Sequence, residues 1–491
     1  MKRRDGLLVG LGTAGLLVSA LGAGLVLGLH HVKPQAARPP ANASPSAVAL
    51  ASPSLLPSPL ASLLPSPLAS LLPSPGVPSP PPRTPAPTRR PTPPPPPPFS
   101  GSWPDYRSGP EQSGWNGAEN QLDASAARRL AQRWSFGGGG VSPVIAGGDL
   151  YVAGAAEVDV MPAAGCGQAS CGASWRADLG MSPQGPGTPG GAPAIADGGL
   201  FVTVNVPAGT GWLYAFHAAG CGSSTCAPMW KQQIGFNTSS GPGTNGYVSS
   251  APVASGGLVY AAPTNPGTLY AFADGSGALA WKATLQAGLG TSSPAVAGGV
   301  LYVLDGDALT AYTASGCGAA TCSPLWAVHV GSAVGSTPAV SGGRVLVDDA
   351  GGTVHAYDAK NGAALWTAST GVAQQHGSVL AAPNVVVAAG SNSMVVLDPA
   401  SGAVLWTIPV GASVASASPT GGDGVGYVLA NDDRLFAFTT TPCGASTCAP
   451  IWSASVGASN GGGSGYDGPV VAGGRLFVHA ADGPMVSLSP S

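Results

Sequence analysis

From about residue 142 onward, apolar residues fall in short runs separated by turn-forming pairs. The stretch from Ser292 to Val330 shows the pattern, with apolar runs at Pro294–Val296, Val300–Leu304, Ala308–Thr313 and Leu325–Val330. The breaks are Gly298-Gly299, Asp305-Gly306-Asp307 and a loop holding Cys317 and Cys322. Runs of this length between such turns predict four antiparallel strands joined by hairpins. One such unit has two open edges and too little core to stand alone, so it needs neighbours.

The chain supplies them. The first run and its turn recur from Ser142, Ala192, Ala251, Thr337, Ser418 and Gly468, and from Ser378 with Pro383-Asn384 in the turn, which makes eight copies with Ser292. The fourth run carries a tryptophan, at Trp175, Trp230, Trp281, Trp326, Trp366, Trp406 and Trp452. A period of about 40–50 residues with four strands in each predicts an all-β propeller of four-stranded antiparallel blades. The last copy, from Gly468, ends after its third strand. The missing strand is found ahead of the first copy, in Ala131–Phe136, and makes Trp134 the eighth tryptophan of the set. Closing the ring in this way removes an exposed edge and predicts eight blades.

Composition divides the chain into residues 1–32, 33–100 and 101–491. After Met-Lys-Arg-Arg-Asp come 24 residues without charge, Gly6 to Leu29. At about 1.5 Å per residue they span about 36 Å as a helix, enough for a hydrocarbon layer of about 30 Å. Lys2, Arg3 and Arg4 place the N-terminus in the cytoplasm and everything after the helix outside, as a single-pass signal anchor. The competing reading is a cleaved signal peptide, which would leave the domain secreted. It requires an unusually long apolar region and a poor site after Ala36-Ala37. Residues 33–100 hold 24 of the chain's 50 prolines and a repeated LLPSPLAS. Such a segment is expected as disordered or polyproline linker, a stalk for the domain beyond it. The lead-in from Trp103 to Trp134 is expected to plug or brace one side of the ring, with a short helical stretch within Leu122–Trp134 capped by Asp123.

Charge is uneven. Residues 1–100 carry 8 basic and 1 acidic side chains, so the rest carries 19 − 8 = 11 basic and 22 − 1 = 21 acidic, a net of −10. An acidic domain with no basic stripe argues against nucleic acid as a partner. The eight cysteines form four pairs with four residues between: Cys166/Cys171, Cys221/Cys226, Cys317/Cys322 and Cys443/Cys448. Each pair lies between the third and fourth strands of its unit, where other copies carry an Asp…Gly turn. Local spacing, even number and an external compartment point to four disulfide clips. Zinc prefers four ligands and closer spacing, and redox catalysis prefers C-x-x-C.

The unit resembles the pyrroloquinoline-quinone-type (PQQ-like) propeller repeat. Asp358–Gly362 with Trp366, Asp398–Gly402 with Trp406 and, one residue shorter, Asp274–Gly277 with Trp281 are similar to that family's tryptophan-docking motif. The resemblance implies that the eight tryptophans pack between adjacent blades. It also implies two kinds of function, since the family holds both quinoprotein dehydrogenases and non-enzymatic scaffolds. The dehydrogenases hold calcium with a Glu, an Asn and an Asp and stack the quinone on adjacent cysteines. This chain has no adjacent cysteines, and of its three glutamates only Glu157 lies in a blade. The pairs Asp305/Asp307, Asp348/Asp349 and Asp432/Asp433 fall in turns that favour Asp for backbone reasons. No catalytic residue, cofactor or metal is therefore expected.

The expected function is that of a membrane-anchored, monomeric, extracytoplasmic bacterial propeller that binds a protein or cell-envelope polymer. The alternatives are a PQQ- and calcium-dependent oxidoreductase and a cell-wall carbohydrate-binding module. Long insertions gather on the face that carries the connections between blades, which makes Asn237, Asn245, Tyr247, Tyr466 and Asp467, with Trp212 beside the rim, the candidate partner contacts.

Overall fold

The structure is a computed structural model. It describes residues 99–138, 140–182, 185–206, 209–235, 250–263, 267–285, 292–331, 336–371, 377–415, 417–457, 468–479 and 483–491. The chain divides into Met1–Pro91 and Thr92–Ser491, and all described residues belong to the second part. The apolar segment Gly6–Leu29 and the proline-rich stretch lie outside the described residues. Among those described, no helix is long and apolar enough to cross a membrane.

Eight four-stranded antiparallel blades follow one another as the repeats require. Blade 4 runs Ala295–Ala297, Val300–Asp305, Ala308–Thr313 and Trp326–His329. Its middle strands are buried almost throughout, while the fourth strand alternates between half-buried and exposed. This is what stacking demands: the inner strands have a blade on each side, so they read as continuous apolar runs.

Blade 8 closes as expected. Its strands are Val470–Ala472, Arg475–His479, Met485–Pro490 and, from the other end of the domain, Leu130–Phe136. The closing pair is antiparallel from Leu130↔Pro490 to Phe136↔Met485, with a bulge between Gln132 and Trp134. The helical stretch is shorter than the sequence suggests. Only Ala124–Ala127 is helical, with the Asp123 carboxylate accepting from the Ala126 N–H at 2.7 Å, because Leu130 already belongs to the closing strand.

Buried hydroxyls join neighbouring blades. The Thr203 hydroxyl, in blade 2's second strand, donates to the Ser250 carbonyl ahead of blade 3's first strand at 2.8 Å. The Ala251 and Thr337 N–H groups donate to the hydroxyls of Ser293 and Ser378, each at 2.9 Å. Hydroxyls at this place in the repeat thus satisfy buried backbone groups between blades that no sheet ladder reaches.

The lead-in forms a strap that visits all eight blades in chain order. Trp103 exchanges two 2.8 Å backbone hydrogen bonds with Ile145 of blade 1. The Pro104 carbonyl accepts from Ile195 at 2.8 Å, and the Asp105 carboxyl accepts from the Ala254 N–H. Pro110, Glu111 and Ser113 carbonyls accept from Val296, Val340 and Ala381 at 2.7, 2.9 and 2.8 Å. Gly114 and Asn116 bracket Gly421, and the Asn116 amide donates to the Val471 carbonyl at 2.7 Å. Each blade offers the equivalent residue of its first strand, beside its Gly-Gly turn or the equivalent, so the strap lies across the Gly-Gly face of the ring.

Candidate functional site

Three places in the ring bring chemistry-bearing side chains together: the strap and the blades it covers, the seams between blades, and the rim of blade 2. Beneath the strap, Arg107 is buried. Its Nε donates to the Gln112 carbonyl at 3.2 Å, and Nη2 donates to the carbonyls of Val379 and Pro419. Arg107 and Gln112 hold left-handed backbones, φ 57° and 55°, which cost a non-glycine residue energy. Asp348, at the end of blade 5's second strand, is within electrostatic reach of Arg107 but forms no ion pair with it. Burial pushes its pKa up to about 8, against the pull of Arg107 and with a further push from Asp349. Burial likewise raises Asp105 well above the usual carboxylate range. Asp349 accepts from the Thr353 N–H and pairs with His355 Nε2, both at 2.9 Å. Asp305, Asp307, Asp432 and Asp433 end strands or occupy turns, as their sequence context indicates.

This arrangement does not fit a calcium-held quinone. No three His, Cys, Asp or Glu side chains among the described residues are grouped as a metal site would need. All eight cysteines are in local clips rather than an adjacent pair. Glu157, which the sequence left without a partner, joins Asp159 around Arg176, at 3.2 and 2.8 Å.

The seams show why glycine sits in the connection between the third and fourth strands. In a left-handed conformation, Gly165 lies against the Trp134 ring, Gly316 against Trp281, Gly362 against Trp326 and Gly402 against Trp366, each so close that a Cβ would come within 2.5–2.7 Å of an indole atom. Gly220 and Gly277 approach Trp175 and Trp230 in the same way. Each of these six tryptophans therefore meets the third-to-fourth-strand turn of the next blade. Trp406 has no such glycine, since Thr441-Pro442 leads into the cysteine loop of blade 7. Trp452 faces blade 8, whose third-to-fourth connection is the chain break, and packs on the core shared by both ends of the domain.

All four disulfides form between the expected partners: Cys166–Cys171, Cys221–Cys226, Cys317–Cys322 and Cys443–Cys448. Burial separates the two cysteines of each clip. Cys166, Cys221, Cys317 and Cys443 are exposed, whereas Cys171, Cys226, Cys322 and Cys448 are buried. Cys171 packs in the core that holds Trp134, Cys322 in that of Trp281 and Cys448 in that of Trp406. Cys226 instead belongs to a two-residue strand, Thr225–Cys226, that pairs with Arg176 and Ala177 of blade 1. The physical reason is that each loop folds back over its neighbour, so its second half lies in the seam and a small apolar sulfur fits there. Each loop accordingly makes a short parallel bridge to the outer strand of the preceding blade: Ser170 to Ser135, Thr225 to Arg176, Thr321 to Lys282 and Thr447 to Thr407.

At the rim, blade 2 is built up. Its second and third strands, Gly199–Val206 and Thr210–His217, are extended, and Thr188–Pro189 pairs with Val204 and Asn205 as an added strand. A cavity of about 290 Å³ opens there, walled by Leu179, Val206 and Trp212. Trp212, named by the sequence, donates its indole N–H to the Thr210 hydroxyl at 3.1 Å and meets Tyr214 edge-on. Lys231, which the sequence did not single out, lies over both rings, 5.4 Å from the Trp212 centroid and 5.5 Å from that of Tyr214. Period-two alternation and the pairing of Tyr214 with Lys231 could have found it once the register was known. The other candidates, Asn237, Asn245, Tyr247, Tyr466 and Asp467, lie outside the described residues.

A family model described as outer membrane protein assembly factor BamB matches residues 209–317, 265–383 and 350–490, together more than half of the chain. The chain belongs to this family of PQQ-like β-propeller repeat proteins. No curated protein matches in sequence. Among solved structures, BamB from Moraxella catarrhalis is 17% identical, with 73% of this chain and 97% of that one covered and a TM-score of 0.51. A europium-containing methanol dehydrogenase is 13% identical, covers 78% and 90%, and has a TM-score of 0.60. Quinohemoprotein alcohol dehydrogenase from Comamonas testosteroni is 14% identical, covers 79% and 80%, and has a TM-score of 0.59. At such identities, likeness to these structures establishes the shared propeller fold, and one fold carries many functions.

Proposed function

We propose that this PQQ-like propeller is a non-catalytic binding module, held outside the cytoplasmic membrane by its N-terminal segment, that recruits a protein partner through the face opposite the strap. The observation that carries this reading is the strap itself. It bonds to the first strand of every blade along the Gly-Gly side, while the elaborations of blade 2 build up the other side. Membership in a family described by an assembly factor supports a protein as the partner. The poor fit of the described residues to a metal-held quinone supports a role without that cofactor.

A photo-crosslinking amino acid placed at Thr210 or at Gly256 of the full-length protein, in its native envelope, tests the reading. Adducts with a discrete protein are expected from position 210 and not from 256. Adducts from 256 alone would reverse the faces. Alcohol- or sugar-dependent dye reduction after addition of quinone and calcium to the purified protein would overturn the non-catalytic assignment. Retention on purified cell wall without any protein adduct would favour a carbohydrate-binding module instead.

A further inference from the structure

The blade 2 cavity has the makings of a recognition site for one kind of group. Its aromatic walls are inclined, with Trp212 and Tyr214 at 79° and 6.5 Å between centroids. Lys231 stands directly across from Tyr214 on the outer strand, and its ammonium rests in the corner between the two rings. Ring faces attract a cation and fix its position, but they do not neutralise it. Lys231 forms no ion pair among the described residues. Asp178, at the end of blade 1's outer strand and within electrostatic reach of Tyr214, accepts from the Gly180 N–H at 2.8 Å.

The cavity is built rather than incidental. Gly187 donates to the Gly180 carbonyl at 2.9 Å, closing the connection into a loop around the short hairpin Met181–Ser182 and Gly185–Pro186. A side chain at Gly187 would strike the Leu179 carbonyl at 2.6 Å and Val204 at 2.9 Å, so the close approach depends on glycine. Beside Gly180 sits the Tyr214 hydroxyl, which has no hydrogen-bond partner among the described residues. Burial, and secondarily Asp178, raise its pKa, so at neutral pH it remains a donor. Blade 3 provides the contrast. Lys282 stands across from Tyr270 in the same register, but Thr268 takes the place of Trp212 there, so no aromatic corner forms.

We propose that this cavity binds an acidic side chain of the partner protein, with the carboxylate on Lys231 and Tyr214 and its methylene stem against Leu179 and Val206. The inference rests on the partner-binding reading above. A carboxylate supplies the counter-charge that Lys231 lacks, and two convergent donors suit its two oxygens. The ammonium lies over the ring faces on which a sugar would stack, so the site favours an acidic peptide over a neutral saccharide.

The full-length protein labelled with 5-fluorotryptophan reads the site directly, because Trp212 gives one of eleven fluorine resonances and Trp212→Phe identifies it. The probes are N-acetyl-glutamate N-methylamide, its glutamine counterpart and glucuronate. A saturable shift of the Trp212 resonance is expected with the glutamate probe, at least about tenfold weaker with glutamine. Lys231→Met should abolish the response, Lys231→Arg should keep it, and added salt should weaken it. Unchanged melting temperatures for both variants would show that the fold is intact. Equal binding of glutamate and glutamine, binding of glucuronate in preference to both, silence with every probe, or an undiminished response in Lys231→Met would each overturn the proposal. Silence here together with protein adducts at position 210 would remove this inference and leave the scaffold reading standing.

Discussion

A single methyl group measures how closely the blades approach one another. Gly402 has φ 72°, and a Cβ there would lie 2.5 Å from the Trp366 ring. Gly222 has φ 80° and nothing within 4 Å of the same position. Alanine at either site meets a backbone cost of about 1 kcal/mol, but at Gly402 it must also displace a packed indole, about 1–3 kcal/mol more. In urea denaturation Gly402→Ala is therefore expected to be the more destabilised of the two, and equal loss would mean that the indole yields freely. Asp348 makes a second prediction. Its folded pKa of about 8 exceeds the unfolded value of about 4, so the native state binds the proton more tightly. That preference stabilises the fold fully at pH below about 4 and fades as pH rises towards 8. Asp348→Asn cannot ionise, so its stability relative to the wild type should improve between pH 5 and pH 8.5, and a constant difference would refute the assignment. The docking tryptophans were legible because they recur at one place in the repeat, as were Gly277, Gly362 and Gly402 in the Asp…Gly turns. Gly165, Gly220 and Gly316 were hidden because they stand beside cysteines instead of closing such a turn. Arg107 and Lys231 were hidden too, since their roles depend on the strap's path and on a cross-strand neighbour.

At the scale of the element, the disulfide loops show how a local pattern can hide a longer-range role. Spacing alone revealed the clips, because both cysteines lie within one turn. It could not reveal that each loop bridges the outer strand of the preceding blade, a contact with residues some 35 to 50 positions earlier. Nor could it tell the buried Cys171, Cys226, Cys322 and Cys448 from their exposed partners, because that difference comes from the neighbouring blade. In the loop of blade 4, Lys282 N–H donates to the Ala320 carbonyl at 3.0 Å and Cys322 N–H to the Lys282 carbonyl at 2.9 Å. A clip this short stabilises by about 2 kcal/mol by restricting the unfolded chain. Cys317→Ser with Cys322→Ser should also loosen the bridge. Hydrogen exchange at the Lys282 amide is then expected to quicken by more than at Ala327, on the next outer strand, which faces the Asp358 turn of blade 5 instead of a clip. A uniform change at both amides would mean that the loop contributes only global stability.

For the whole molecule, closure and the strap are separable, and the sequence disclosed them unequally. The missing fourth strand was visible as an absence at the end of the eighth repeat. The strap's route across eight blades was not, because six of the eight are reached by its backbone groups, which bond irrespective of side-chain type and leave no periodic mark. The two parts should fail differently. A chain beginning at residue 122 keeps Leu130–Phe136 paired to Met485–Pro490 and the Ser135 bridge to Ser170 on its other side. It loses the strap's bonds to the first strands and exposes what lies beneath, so its melting temperature should fall while it remains a monomer. A chain beginning at residue 137 loses the strap and the closing strand together. It leaves Met485–Pro490 as a bare edge, and strips Trp134 and Phe136 from the core that both ends of the domain share. An unpaired strand beside exposed apolar surface invites pairing with another copy. Light scattering after size exclusion should therefore show a monomer for the first chain and concentration-dependent association for the second. If the second chain is also monomeric and melts with the first, the strand carrying Trp134 is not what holds the ring closed.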